Sequence, residues 1–399
     1  MIDKKTIPKH WEIKKLAEVC EIILGQSPPS NTYNSIRDGL PFFQGKADFT
    51  DLYPIVRKYC NAPKKIAEPN DILLSVRAPV GTTNIANHKC CIGRGLAAIR
   101  YKNFKFLFYF LKSIEYQLDE KGTGTTFRAI SGDIVRNITI PLPPLSEQQQ
   151  IVSKIEELFS ELDKGKQQLE TVKQQLKTYR QAVLKWAFEG RFTNKNIKDG
   201  QLPEGWKWVK VKDVCNKIIG GGTPSTLVHE FWTGNIPWIS SADIVGIKDV
   251  RPRRMITENA VKNSATNILP KGGIIVVTRV GLGKLAIAPF DICFSQDSQG
   301  LILNEEIILQ EYALLFLQKE VQSFKLQSRG TTINGVTKKQ LAELNLILPS
   351  LSEQYQIVQE IETRLSVCDK MEVTIENSLQ QVESLRQSIL KQAFEGKLL

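Results

Sequence analysis

The sequence predicts an α+β fold: two α/β segments separated by a long antiparallel two-helix coiled coil, as a pseudo-two-fold tandem repeat. Three observations carry this. The phrase Leu142-Pro143-Pro144-Leu145-Ser146-Glu147-Gln148 returns as Leu348-Pro349-Ser350-Leu351-Ser352-Glu353-Gln354. A heptad pattern follows each copy and closes on Ala187-Phe188-Glu189-Gly190 or Ala393-Phe394-Glu395-Gly396, one constant offset of 206 residues apart. The stretches before the phrases open alike, on Pro8-Lys9-His10-Trp11 and Pro203-Glu204-Gly205-Trp206.

The helices follow from spacing. Ser146 is an N-cap candidate, with Gln149 completing a capping box. Apolar residues recur at Ile151, Ile155, Leu158, Leu162, Leu169, Val172, Leu176, Tyr179, Val183 and Trp186. Steps of four and three over about five repeats make a coiled-coil seam. The second seam runs through Ile357, Ile361, Cys368, Met371, Ile375, Val382, Leu385 and Ile389. Gly190 and Gly396 stand where a helix C-terminus favours positive φ. A lone amphipathic rod of roughly 55–60 Å is unstable in water, so the two are expected to pair. The expected divisions are residues 1–145, a central helix 146–192, residues 193–351, and a C-terminal helix 352–399.

Within the globular segments, Asp71–Arg77 and Gly273–Arg279 read as buried strands, each ending in a cation before a glycine turn. Phe104–Leu118 reads as a buried, Phe-rich helix, too short and too charged to span a bilayer. Both segments reach a Gly-Thr-Thr turn, at residues 124–126 and 330–332. The polar stretch Phe192–Leu202 reads as a linker.

The chain has 399 residues, 42% hydrophobic and 24% charged, with a formal net charge of +11 and a pI near 9.2. That balance suits a soluble protein with a polyanionic partner. Seven cysteines, without metal-site spacing, indicate reduced thiols and a cytoplasmic setting. No signal peptide is expected at the start. There is no phosphate-binding Gly-x-x-x-x-Gly-Lys-Ser/Thr loop, no Asn-Pro-Pro-Tyr-type methyltransferase motif and no His-Glu-x-x-His. Gly220-Gly221-Gly222-Thr223-Pro224 lacks the lysine of a phosphate loop and reads as a turn. No cofactor, catalytic residue or metal site is expected in this chain.

What the motifs leave is nucleic-acid recognition. The candidate contacts are Lys46, Arg77, Arg94, Thr125, Thr126 and Arg128 in the first segment. In the second they are Arg251, Arg253, Arg254, Arg279, Lys284, Gln296, Thr331, Thr332 and Asn334. Lysine and arginine grip phosphates, while arginine, asparagine and glutamine can read base edges. A solvated surface role stays open for each.

The two Pro-Leu-Ser-Glu-Gln-like phrases, the two Ala-Phe-Glu-Gly phrases and the two openings resemble the specificity (S) subunit of type I DNA restriction–modification enzymes. The resemblance covers nearly the whole chain. It implies two target-recognition domains, each reading one half of a bipartite site in double-stranded DNA. It implies helices that act as spacer and as docking surface for two methyltransferase (M) subunits. S-adenosylmethionine would belong to the M subunits, and ATP and Mg2+ to restriction (R) subunits, so adenine-N6 methylation and ATP-dependent cleavage belong to the complex. Recognition domains vary within the family, so no base contact carries over. The alternative is a coiled-coil scaffold that binds protein partners without DNA readout. No membrane association is expected.

Overall fold

In the computed structural model, residues 7–124, 128–194, 197–198, 201–327 and 335–399 are described. The chain forms two compact units, one of Met1–Thr171 with Ile375–Leu399 and one of Val172–Thr374. The first unit is therefore built from chain segments far apart in sequence, and the second from one continuous segment.

In the first unit, Glu12–Lys15 pairs antiparallel with Thr139–Leu142, which brings the opening beside the proline-rich phrase. A four-stranded antiparallel sheet has the order Glu21–Leu24, Leu96–Arg100, Ile72–Ser75, Thr83–Ile85. A five-stranded sheet has the order Tyr33–Asn34, Tyr59–Cys60, Leu40–Phe43, Cys90–Ile92, Ile66–Ala67. Its Leu40–Phe43 and Cys90–Ile92 strands run parallel. The second unit repeats this plan. Lys207–Lys210 pairs with Asn345–Leu348, and the four-stranded order is Cys215–Gly220, Ser298–Leu303, Ile274–Val277, Leu285–Ile287. The third sheet keeps the parallel pair, Ile236–Ile239 with Cys293–Phe294, and adds Arg254–Ile256. Both strands predicted to be buried are buried at every residue, Ile72–Ser75 and Ile274–Val277.

The Phe-rich stretch forms a helix, Phe104–Ser113, that Asn103 caps by accepting from the Phe106 amide at 3.3 Å. The chain breaks at Ile114 and resumes as Glu115–Glu120. Residues Phe106 to Leu111 are all buried, because the helix lies between the four-stranded sheet and the long helices.

The central helix spans Leu145–Phe188 and the C-terminal helix Leu351–Phe394. Both start two residues earlier than a cap at Ser146, or at the matching Ser352, places them. The cap position falls on Pro144 and Ser350. At the second, Ser350 Oγ accepts from the Glu353 amide at 3.4 Å, and Glu353 accepts from the Ser350 amide at 3.3 Å. Pro144 has no N–H to satisfy, so its helix needs no such box and Glu147 is left for another donor. That donor is the Trp11 indole, at 2.9 Å, and in the second unit the Trp206 indole donates to Glu353 at 3.0 Å. The following glutamine folds back in both copies: the Gln148 side-chain amide donates to the Pro143 carbonyl at 2.9 Å, and Gln354 to Pro349 at 3.0 Å. The recurring phrase is thus a joint between strand, helix and opening tryptophan.

Gly190 and Gly396 adopt φ of +78° and +70°. A Cβ at either would run into the ring of Pro203 or Pro8 respectively. The end of the C-terminal helix is therefore seated on the opening of the first segment, and the end of the central helix on that of the second. The same crossing shows in the cores. Phe394 packs its ring on Phe106 and Phe110, at 5.2 and 5.4 Å between centroids. Phe188 packs on Tyr312 and Phe316, at 5.4 and 5.6 Å.

Within the first unit the two helices run antiparallel: Arg386 pairs with Asp163, and Glu383 with Lys166 at 3.7 Å. Within the second, Arg180 bonds Asp369 at 2.6 Å and Glu372 at 3.1 Å. The seam differs from the heptad expectation in mid-helix, at Met371, and toward the helix ends. Trp186, Tyr179, Met371 and Leu385 are each more than a third exposed, while Ala187, Phe188, Leu390, Ala393 and Phe394 are buried. Toward the ends the helices pack on a globular core rather than only on each other, so the buried face turns away from the 3.5-residue seam. The predicted linker does not begin free: the Asn194 amide bonds the Gly190 carbonyl at 2.9 Å, and Phe192 lies under the Arg364 guanidinium at 4.7 Å. Among the described residues no helix is long and apolar enough to cross a membrane.

Candidate nucleic-acid interface

In the first unit, four chain segments meet at one rim. After the strand Ile72–Ser75, the Val76 amide bonds the Gly95 carbonyl at 2.9 Å, which sets Arg77 beside the turn Gly93-Arg94-Gly95. The turn lies tight against Gln44: a Cβ on Gly95 would strike the Gln44 carbonyl. The Gly93 amide bonds the Phe43 carbonyl at 2.8 Å, so Lys46, exposed in the single turn Lys46–Asp48, leaves from the same rim. The fourth segment is the loop after Gly25. Its Ser27 hydroxyl accepts from the Arg94 amide at 3.2 Å. The Tyr33 hydroxyl donates to the Pro28 carbonyl at 2.7 Å, and the Tyr33 ring stacks on Phe42 at 4.5 Å, which holds that loop down. Arg128 joins through its carbonyl, which accepts from the Ala78 amide at 2.9 Å, but its guanidinium is paired with Asp119 at 3.3 Å.

The second unit repeats the rim at three positions. Thr278 and Arg279 both donate their amides to the Asp297 carbonyl, at 2.8 and 3.2 Å. The Gly222 amide bonds the Phe294 carbonyl, the Trp238 indole donates to the Gly222 carbonyl, each at 2.9 Å, and the Thr223 hydroxyl donates to Gln296 Oε1. Thus Arg279 stands where Arg77 stands, Gln296 where Arg94 stands, and Thr223 where Ser27 stands.

The remaining candidates divide. Lys284 donates its ammonium to the carbonyls of Ser241 and Ile244, at 2.8 and 3.0 Å, which anchors the turn Ser241–Asp243. Arg251 forks onto Asp249 at 2.9 and 2.7 Å, and Arg253 pairs with Asp243 at 3.2 Å. Arg254 lies over the Trp232 ring at 5.3 Å, in a cleft shared with Arg253, His229, Thr226 and Met255. Thr125, Thr126, Thr331, Thr332 and Asn334 lie outside the described residues.

Ion pairing sorts the arginines. Arg100, Arg136, Arg180, Arg364 and Arg386 all meet carboxylates. Arg100 grips the buried Asp71 with two bonds of 2.8 and 2.9 Å. Arg77, Arg94 and Arg279 are exposed and form no salt bridge among the described residues. A guanidinium left without an acid keeps its planar fork available to phosphate or to a guanine edge.

Sequence reasoning missed Ser27 and Thr223, which brace the rim, and Arg37, exposed at a φ of +66° without a salt bridge among the described residues. The recurrence of Gly25 with Pro29-Ser30 as Gly220 with Pro224-Ser225 marked the loop, but its offset pairs Thr223 with Pro28, whereas the amide bonds of Gly25 to Leu96 and of Gly221 to Ser298 pair it with Ser27. Burial pushes the thiols of Cys20, Cys90 and Cys215 up to about 12, so they stay protonated and unreactive. Among the described residues no group of three or more His, Cys, Asp or Glu could hold a metal ion.

The family model for the type I restriction modification DNA specificity domain matches residues 8–174 and again 203–382. A putative type I restriction enzyme MjaX specificity subunit of Methanocaldococcus jannaschii is 46% identical over 158 residues, 38% of this chain and 37% of that protein. The MjaIX specificity subunit of the same organism is 33% identical over 213 residues, 52% of this chain. The matches span 37% and 47% of the length of these two relatives. The EcoBI specificity subunit of Escherichia coli is 25% identical over 423 residues, 98% of this chain and 87% of that one. Among solved structures, a chain from a type I R-M system superposes with a TM-score of 0.75 at 23% identity, covering 98% of this chain and 99% of that one. The HsdS subunit from Thermoanaerobacter tengcongensis gives 0.66 at 21% identity, covering 98% of each; both show the shared fold. With the family model matched twice along its length, the chain belongs to the type I restriction modification DNA specificity family.

Proposed function

We propose that this chain is the DNA-recognition subunit of a type I restriction–modification complex, without chemistry of its own. Each globular segment reads one half of a bipartite site in double-stranded DNA. The paired helices connect the two segments and offer docking surface to methyltransferase subunits, two per chain. The M subunits bring S-adenosylmethionine and methylate adenine N6. Restriction subunits bring ATP and Mg2+. The complex works in the cytoplasm.

One observation carries the reading: the same rim is built twice, on the same scaffold, with exposed arginines that form no salt bridge among the described residues and with different residues at matched positions. A scaffold that bound only proteins has no reason to repeat an unneutralised rim on both globular segments.

The test is modular. Residues 8–140 are exchanged for the corresponding segment of another family member, and the methylome of a host carrying the M subunit is sequenced. One half of the methylated motif changes and the other stays. A change in both halves refutes the division of labour. Absence of salt-dependent binding to any duplex, with and without the M subunit, refutes DNA recognition itself.

A further inference from the structure

The two rims can be compared position by position, because the same backbone bonds define them. Val76 and Thr278 donate to the carbonyls of Gly95 and Asp297, so Arg77 and Arg279 are one position. The residue before that acceptor is Arg94 in one unit and Gln296 in the other. Both are exposed. Both lie in the turn between the strand of the parallel pair and the next strand of the four-stranded sheet, Cys90–Ile92 to Leu96–Arg100 and Cys293–Phe294 to Ser298–Leu303. Each is tied to the glycine-rich loop by one hydroxyl, Ser27 to the Arg94 amide and Thr223 to the Gln296 side chain.

Two segments on one scaffold share what every DNA offers and differ where the words differ. The shared feature is the phosphate backbone, and the identical arginines Arg77 and Arg279 suit it. The differing pair consists of two side chains with distinct base preferences: arginine forks onto O6 and N7 of guanine, glutamine onto N6 and N7 of adenine. Resting on the DNA-recognition reading above, we infer that this turn position determines specificity, with Arg94 reading guanine and Gln296 reading adenine.

The local chemistry fits each assignment. A turn between two strands is narrow enough for the major groove. Among the described residues Arg94 has no carboxylate to release, and its backbone is already fixed by Ser27, which lowers the ordering cost on binding. The Thr223 hydroxyl orients the Gln296 amide by donating to its oxygen. That oxygen keeps a second lone pair for the adenine amino group, and the NH2 remains free to donate to N7.

The test uses the complex with its M subunit. Methylome sequencing gives its word, and binding is then measured on duplexes substituted at each position of each half. Arg94→Gln is expected to change the preferred base from guanine to adenine at one position of the first half only, with a change in preference of roughly 5- to 150-fold. Gln296→Arg, made separately, is expected to do the reverse at one position of the second half. Uniform weakening on every duplex assigns Arg94 to phosphate and overturns the inference. So does an unchanged preference in both variants, or a change in the wrong half. A wild-type complex that prefers no sequence refutes the recognition reading instead, so the two failures are distinct.

Discussion

Phe394 stands near the end of the chain but belongs to the core of the first recognition segment. Its ring is 1% exposed and meets Phe106 and Phe110 edge-on, within a cluster that includes Trp11, Leu16 and Ile72. Phe394→Ala removes a fully buried ring, which costs about 3–5 kcal/mol. Two aromatic pairs disappear with it, which places the cost at the upper end of that range. A domain is stable by about 5–15 kcal/mol, so the first unit loses a large share of its margin. In a unit of this size each kcal/mol is worth about 2–4 °C, so the loss is on the order of 10–20 °C in Tm. The assay is amide hydrogen exchange followed in two sets of strands. Ile72–Ser75 and Leu96–Arg100 are expected to lose protection, while Ile274–Val277 and Ser298–Leu303 keep theirs. Phe188→Ala, at the matched position of the central helix, is expected to reverse the pattern. Loss of protection in the second unit on Phe394→Ala would refute the crossed assembly, because the C-terminal phrase would then stabilise the segment that precedes it in sequence.

Four further outcomes follow from single sites. Arg279→Ala should weaken binding alike on all duplexes and lower the slope of log affinity against log salt by about one, read by titration at several salt concentrations; relaxed preference at one base would make Arg279 a base reader. Burial pushes the Glu353 carboxyl up, but the Trp206 indole and the Ser350 hydroxyl and amide outweigh it and hold the group below its usual 4.5. Its contribution to the second unit is therefore complete above about pH 4.5 and lost as pH falls through the lower folded value, so Trp206→Phe should flatten the acid limb of a denaturation curve followed by circular dichroism. Gly165 lies in the central helix with nothing near its missing Cβ, so Gly165→Ala should stabilise by about 0.5–1 kcal/mol. Gly396→Ala forces a side chain into positive φ and against Pro8, and urea unfolding should show a loss of about 2–4 kcal/mol.

Repeat and period were legible from the residues alone. The phrases at 142–148 and 348–354, the apolar steps of the two helices and the strands ending at Arg77 and Arg279 are local patterns, and local patterns determine element type and order. The helix C-caps were equally readable, because only glycine takes positive φ without cost at Gly190 and Gly396. Tertiary structure alone decided three things. The first is which core each helix end completes: Phe394 and Phe188 look identical in sequence, and only packing assigns Phe394 to the segment near residue 106. The second is which arginines are free. Arg128 and Arg94 read alike, yet Asp119 takes the first while the second has no carboxylate within reach among the described residues, because ion pairing depends on distances of a few ångströms between residues unrelated in sequence. The third is the matching of Arg94 with Gln296. The recognition segments differ in loop length, so residue numbering does not align these turns, whereas a backbone hydrogen bond from the neighbouring strand does.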